Sequence, residues 1–265
     1  MEVGAGTRAL VTGASRGIGR ALAIALAARG ATLGLAARST GELQALANEL
    51  PGTHHALECD VADAPSTQRA IDRFVASAGG LDLLIANAGV AHYAPFADQP
   101  LDEKLRMSQV NWHGTLHAVH FGLPHLLDAG RGHVVIVSSG AGLRSFPQAA
   151  VYGATKAAQR AFGEALRHEL AGTGVSLTVV HPGEIATALH DHEKERMPPW
   201  YRGGARAAPP DRLAKRIIEA IENDERAVHY PPLVRALGIA HGINPKAADA
   251  LLRRLRGESA APRRG

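Results

Sequence analysis

Tyr152 and Lys156 stand four residues apart in the stretch YGATK. On a helix that spacing puts both side chains on one face, close enough to act together. Such a pair can move a proton. A free phenol titrates near pH ~10, and a neighbouring ammonium favours the phenolate and lowers that value. A drop of about three units needs roughly 4 kcal/mol, which one close lysine plus a cationic ring in the same site can supply. The tyrosine could then protonate a carbonyl oxygen as hydride arrives at carbon. Upstream, the apolar run VVIVSSG ends in two hydroxyls, Ser138 and Ser139. A hydroxyl at the carboxyl end of a parallel strand faces the ligand crevice.

Two further stretches concern a cofactor. VTGASRGIG, residues 11–19, sets Gly13, Gly17 and Gly19 between an apolar run and an alanine-leucine run. Glycines allow a tight turn and close backbone approach, while free N–H groups and the dipole of a following helix favour an anion. The spacing G-x-x-x-G-x-G departs from the usual G-x-G-x-x-G, so alone the loop could equally be an ordinary strand-to-helix turn. In LAARST, Ala37 stands where NAD-binding folds carry an acid, and Arg38 follows it. A carboxylate there would repel a 2′-phosphate, whereas an arginine can grip one with two charge-assisted hydrogen bonds. Arg16, inside the glycine loop, favours this reading over a plain surface arginine.

These residues need elements to position them. Strands are expected at Arg8–Thr12, Thr32–Ala36, Ala56–Cys59, Leu81–Ile85, His133–Ser138, Ser176–Val180 and Ala227–Tyr230. Several are almost continuously apolar, as strands covered on both faces are. Helices are expected at Gly17–Arg29, Gly41–Leu50, Pro65–Ala78, Leu101–Asp128, Val151–Ala171 and Asp211–Glu222. Strand and helix alternate throughout, which predicts an α/β fold, a doubly wound parallel sheet of about seven strands with helices on both faces, in three layers. No repeat or low-complexity linker divides the chain, so one domain over 1–265 is expected, with a substrate lid at about 186–210. The region 231–257 reads as two short helices broken at Asn244–Pro245.

Composition narrows the classes of function. The chain has 265 residues, a net charge of +4 and one cysteine, Cys59, which excludes an internal disulfide and fits a reducing compartment. MEVGAGTR opens acidic without an apolar core, and the uninterrupted apolar run Ala21–Ala28 is far too short to span a bilayer. A cytoplasmic protein with no integral membrane segment is expected. The basic residues are scattered except at Arg253, Arg254, Arg256, Arg263 and Arg264, which read as a solvated last helix and tail. No nucleic-acid motif accompanies them, so no nucleic-acid partner is expected. His113, His117 and His120 share a helix face but lack an acidic or cysteine partner, so no metal is expected.

Taken together, the motifs resemble the short-chain dehydrogenase/reductase family in its common form of about 250 residues. The resemblance covers roughly Thr7 to Tyr230 and rests on motifs in the family's order: TGASRGIG from Thr12, CDV with Asp60, NAG at Asn87–Gly89, Asn111, Ser139, Tyr152 with Lys156, and HPGEIAT ending in Thr187. G-x-x-x-G-x-G is that family's own phosphate loop. The resemblance implies a Rossmann-like fold and the following roles. Tyr152 is the general acid for reduction and base for oxidation. Lys156 lowers its pKa and holds the nicotinamide ribose. Ser139 bonds the substrate oxygen, and Asn111 supports a water in a proton relay to Lys156. The cofactor set comprises Thr12, Gly13, Ser15, Arg16, Gly17, Ile18, Gly19, Arg38, Asp60 and Val61 at the adenine and phosphate end. Asn87, Ala88, Gly89, Pro182, Gly183, Ile185 and Thr187 serve the ribose and nicotinamide. Ala37–Arg38 with Arg16 matches the NADP-preferring pattern, so NADP(H) is expected over NAD(H).

The expected substrate is a neutral, fairly lipophilic ketone or secondary alcohol. Its candidate walls are His92, Tyr93, Phe96, Leu143, Phe146, Leu189, Trp200 and Tyr201, with Glu184 as an acid that could reach the pocket. His181 reads as a backbone-positioning residue, and the histidines of the 101–128 helix as interface or partly buried groups. A 3-oxoacyl-carrier-protein reductase and a catalytically silent NADP-binding sensor are the alternatives. The first is disfavoured by ERAVHYPP and the helical tail after it, the second by the intact Tyr152–Lys156 pair. The long helices expected at Leu101–Asp128 and Val151–Ala171 lead us to expect a homodimer or homotetramer.

Overall fold

The computed structural model describes residues 1–193, 195–196 and 207–255. Seven strands form one sheet: β1 (Arg8–Thr12), β2 (Thr32–Ala37), β3 (His54–Glu58), β4 (Leu83–Ala86), β5 (Gly132–Val137), β6 (Val175–Pro182) and β7 (Ala227–Tyr230). Their order is β3-β2-β1-β4-β5-β6-β7, and every neighbouring pair is parallel. The chain winds outward from β1 to β3, then returns to place β4 beside β1, where Val11 pairs with both Leu35 and Ile85. This reversal opens a crevice at the carboxyl ends of β1 and β4, where open α/β sheets bind ligands.

The helices are α1 (Gly17–Ala27), α2 (Thr40–Glu49), α3 (Ala64–Ala78), α4 (Leu101–Met107), α5 (Gly114–Asp128), α6 (Ala150–Glu169), α7 (Pro210–Glu222), α8 (Leu233–Ile243) and α9 (Pro245–Leu255). Side chains alternate across a strand, and the two cores follow that alternation. Val11, Leu83, Ile85 and Val135 pack with Leu22 of α1, Leu43 of α2 and Ile217 of α7. Leu10, Leu84, Val134 and Ile136 pack with Phe74 of α3, Val119 of α5 and Leu166 of α6. The result is three layers, α/β/α, as the apolar runs imply.

Helix ends follow local chemistry. The Asp63 side chain accepts the Ser66 N–H at 3.1 Å, Pro65 occupies the first turn, and Gly79 closes α3 at φ 76°. The last two helices break at Asn244–Pro245, as expected. Two expectations need correction. β3 begins at His54, before the apolar run, because His54 and His55 pair with Leu33 and Gly34 of β2. The helix expected over 101–128 is interrupted by a π-helical turn, Ser108–His113, between α4 and α5. Of the lid expected at 186–210, the ends are joined: Ala186 N–H donates to Ala208 O and Ala208 N–H to Glu184 O, both at 2.9 Å. Between them Ala188–Glu193 forms a short 3-10 helix, while 197–206 lie outside the described residues.

Two buried histidines make stability depend on pH. His133 donates or accepts one bond, Nε2 to Thr178 Oγ1 at 2.8 Å, and burial pushes its pKa down to about 4. Burial, with His229 adding repulsion, does the same to His181. Each folded-state pKa lies below the ordinary 6.5, so between about 6.5 and 4 the unfolded chain binds more protons. Stability should fall as pH falls through that window, by up to about 3 kcal/mol per histidine. Thermal melts across pH 7 to 4 should show this slope, and His133→Gln should flatten it. An unchanged slope in that variant would contradict the assignment.

Candidate active site

The crevice is an open cleft. At one end β1 feeds α1 through the glycine loop. A Cβ on Gly19 would fall 2.2 Å from Gly13 O, and one on Gly13, whose φ is +67°, would fall 2.9 Å from Ala88 Cα. No side chain fits either place, so the loop folds tightly with the amino end of α1 at the cleft. The first-turn N–H groups of a helix have no intrahelical partner and favour an anion.

Behind the loop, Thr12 Oγ1 accepts the N–H groups of Asn87 and Ala88 at 3.0 and 3.1 Å. Asn87 Nδ2 donates to Thr12 O at 2.8 Å and Gly13 O at 3.3 Å. Asn87 therefore braces the loop as well as lining the cleft. Gly13, Ser15, Arg16, Gly17, Ile18, Arg38, Asp60, Ala88, Gly89, Pro182, Gly183, Ile185 and Thr187 all line it. Thr12, Gly19 and Val61 do not. Thr12 and Gly19 act from behind through the bonds and spacing just given. Val61 packs on Gly114 and gives its carbonyl to His117 Nδ1 at 2.9 Å.

Arg106, on α4, also lines the cleft and lies 3.3 Å from Asp60 Oδ2. Burial raises the Asp60 pKa, but the Ala62 N–H, Arg106 and Arg38 outweigh it and hold the carboxyl below the usual range. Nothing in the sequence separates Arg106 from a surface arginine.

At the other end stand Ser139, Tyr152 and Lys156. Ser139 follows β5, and its hydroxyl accepts the Ala141 N–H at 3.1 Å. Ser138 Oγ donates to Lys156 O at 2.7 Å and so ties α6 to β5. Lys156 Nζ donates to Val137 O at 3.0 Å and lies 5.9 Å from the centre of the Tyr152 ring. Burial pushes the lysine down to about 7. Burial also raises the Tyr152 pKa, with the Ser139 hydrogen bond pulling the other way. In the protein alone, desolvation is the larger influence on the phenol and favours its protonated form.

Asn111 sits in the π-helical turn. Its Oδ1 accepts Val90 N–H at 2.8 Å, and its Nδ2 donates to Val90 O at 3.0 Å and Thr155 Oγ1 at 3.1 Å. Its carbonyl accepts Gln159 Nε2 at 2.9 Å and Thr115 Oγ1 at 2.8 Å. Asn111 does not line the cleft. It fixes the loop after β4 to α6, and a Cβ on Gly89 would touch both Asn111 Oδ1 and Lys156 Nζ, at 3.3 and 3.5 Å.

Of the expected substrate walls, Leu189 lines this cleft. Tyr93 is fully buried, stacked on Phe146 and edge-on to Tyr152, each at 5.9 Å between ring centres. His92 Nδ1 is 2.8 Å from Glu193 Oε1. Phe96 is 62% exposed beneath Lys104 and does not line the described part of the cleft. Leu143 packs toward Gly238 of α8. Trp200 and Tyr201 lie outside the described residues. Among the described residues no group of three or more His, Cys, Asp or Glu could hold a metal ion, and no helix is long and apolar enough to cross a membrane.

A side-chain-free cradle at a helix amino end, two arginines beyond it and hydroxyl, phenol and amine groups at the far end fit a dinucleotide laid along the cleft. Comparison with known proteins agrees. Residues 7–198 match the family model described as short chain dehydrogenase. The glycine betaine reductase ATRR of Emericella nidulans is 37% identical over 226 residues, 83% of this chain but 18% of that protein, so this chain spans under a fifth of its length. A 3-ketoacyl-ACP reductase from Sinorhizobium meliloti 1021 is 35% identical with a TM-score of 0.75, over 84% of this chain and 96% of that one. A short chain dehydrogenase/reductase from Burkholderia phymatum, solved in complex with NAD, superposes with a TM-score of 0.85 at 26% identity, over 93% of this chain and 96% of that one. This chain belongs to the short-chain dehydrogenase family and is an oxidoreductase of that family.

Proposed function

We propose that the protein is an NADPH-dependent reductase of neutral, fairly lipophilic ketones, with Tyr152 as proton donor. The observation that carries this reading is a buried Tyr152 beside Ser139 and Lys156 in the cleft that the glycine loop opens. When bound, the reduced nicotinamide supplies hydride to the carbonyl carbon. The Ser139 hydroxyl is placed to bond the carbonyl oxygen, and the Tyr152 phenol to give that oxygen its proton. Burial favours the phenol over the phenolate, which is the state a donor needs. The reverse reaction needs the phenolate, so alcohol oxidation should gain as pH rises while reduction does not. Lys156 stabilises the phenolate left after transfer, and solvent returns the proton. Glu184 and Leu189 lie on the segment bordering the substrate side.

The NADP preference rests on Arg16 and Arg38 at the cleft and on Ala37 in place of an acid. Fluorescence titration should show NADPH binding tighter than NADH. Arg38→Ala should weaken NADPH by about 10-fold or more and leave NADH nearly unchanged, since a charge-assisted bidentate contact is worth ~1.5–3 kcal/mol. Equal affinities in the parent protein, unaltered by the variant, would contradict this.

The similarity to a 3-ketoacyl-ACP reductase favours a second reading, reduction of a 3-oxoacyl thioester by the same residues. Turnover of acetoacetyl thioesters far above that of free ketones would select it. The proposal further takes the chain as one cytoplasmic domain assembling as a homodimer or homotetramer. Leu101, Leu105, Leu116 and Leu127, exposed along α4 and α5, support that assembly.

A further inference from the structure

Glu193 is a carboxylate with only 2% of its side chain exposed. A charge that buried is costly unless it is bonded. It is met by His92 Nδ1 at 2.8 Å, by the Tyr93 N–H at 3.0 Å and by the Arg196 guanidinium at 3.3 Å. Arg196 in turn makes a two-pronged pair with Glu103 of α4, at 2.9 Å to each oxygen. The segment that leaves the cleft after Thr187 and Leu189 is thereby fastened to the loop after β4 and to α4.

The residue held at the centre of this fastening is Tyr93. Its backbone is bonded to Glu193, and its fully buried ring lies edge-on to the ring of Tyr152. Phe146, leading into α6, stacks on the same ring at 5.9 Å. Tyr152 thus rests against a ring whose position depends on a carboxylate arriving from another loop.

We propose that Glu193 is a positioning residue for the proton donor, holding Tyr152 in register through Tyr93. The inference rests on the reading of Tyr152 as the donor. The two halves of the latch carry unequal weight. Arg196 and Glu103 are 38% and 22% exposed, and pairs of that kind contribute little. Removing Glu193 instead leaves His92 and the Tyr93 N–H without their buried acceptor.

Hydrogen exchange and steady-state kinetics on the full chain test this. Glu193→Ala should speed amide exchange at Tyr93 by about 10-fold or more and lower kcat for ketone reduction by about 10- to 100-fold, since small misplacements near the chemistry cost that much. Its affinity for NADPH should stay within about 3-fold, because Glu193 does not line the cofactor cleft. Glu193→Gln retains an oxygen for the Tyr93 N–H and should recover most of both effects. Should Glu193→Ala fail to fold, Arg196→Ala must still speed exchange over residues 91–99 by about 2- to 3-fold. A folded Glu193→Ala protein with parental kcat and parental protection at Tyr93 would overturn the proposal, as would an unaltered Arg196→Ala protein. Exchange is read without substrate, so a parent protein that reduces no ketone would fell the functional reading and leave the latch separately measurable.

Discussion

Tyr152→Phe is expected to lower kcat for ketone reduction by on the order of 10³-fold while NADPH binding stays within a few-fold. The change removes one oxygen from a ring that is 5% exposed. The ring keeps its packing against Tyr93. The lost factor corresponds to about 4 kcal/mol at the barrier. Ser139 remains to bond the carbonyl oxygen but has no matched proton to give it. Stability should hardly move or should rise, because a buried hydroxyl leaves with its Ser139 partner still bonded to the Ala141 N–H. Rapid-quench or steady-state rates with a binding titration check this. Parental turnover by the variant would remove Tyr152 from the chemistry.

Lys156→Met should couple lost activity to gained stability. The lysine is buried, and desolvation brings its pKa from 10.5 to about 7. Its folded value lies below its unfolded value. Below about pH 7 both states are protonated and the whole penalty is present, about 5 kcal/mol. Between about 7 and 10.5 the unfolded chain binds the extra proton, so stability of the parent rises with pH. Methionine removes the penalty but leaves Val137 O without the 3.0 Å bond from Nζ, which returns about 1–3 kcal/mol. The net gain is about 2–4 kcal/mol near neutral pH, roughly 5–10 °C in Tm for a chain of this size. It should shrink as pH rises toward 10. The catalytic rate should fall by about 100-fold, because the phenolate loses its cation. Unfolding cannot produce that combination, and a variant less stable than its parent at pH 7 would contradict the burial argument.

Much of the fold is legible in the sequence for a physical reason. Both faces of the sheet are covered, so runs such as VVIV and ALV are apolar without a break and stand out from the helices between them. Strand ends are less legible where pairing needs only backbone, as at His54 and His55 beside β2. The π-helical turn at Ser108–His113 has no proline or glycine to announce it. Asn111 in that turn bonds to Val90, Thr155 and Gln159, partners up to 48 positions away.

The site divides in the same way. Arg16, Arg38, Ser139, Tyr152 and Lys156 can be picked out because they sit beside strand ends or at helical spacing, and the structure brings them to one cleft. Arg106 and Glu193 act on partners 46 and about 100 positions distant, and local spacing carries no trace of either. The electrostatics were the least legible part. Lys156 beside Tyr152 reads as a cation next to a phenol, but a pairing in sequence says nothing of the water excluded from both, and burial pushes the phenol up and the lysine down.

The proposed chemistry is carbonyl reduction by NADPH through Tyr152. The most direct measurement follows NADPH absorbance at pH 7 with a panel of aryl ketones, steroids and acetoacetyl thioesters, for the parent protein and Tyr152→Phe side by side. Turnover of at least one free ketone by the parent is expected, faster with NADPH than with NADH, and its near abolition in the variant. Tight binding of both cofactors with no turnover of any carbonyl would contradict it.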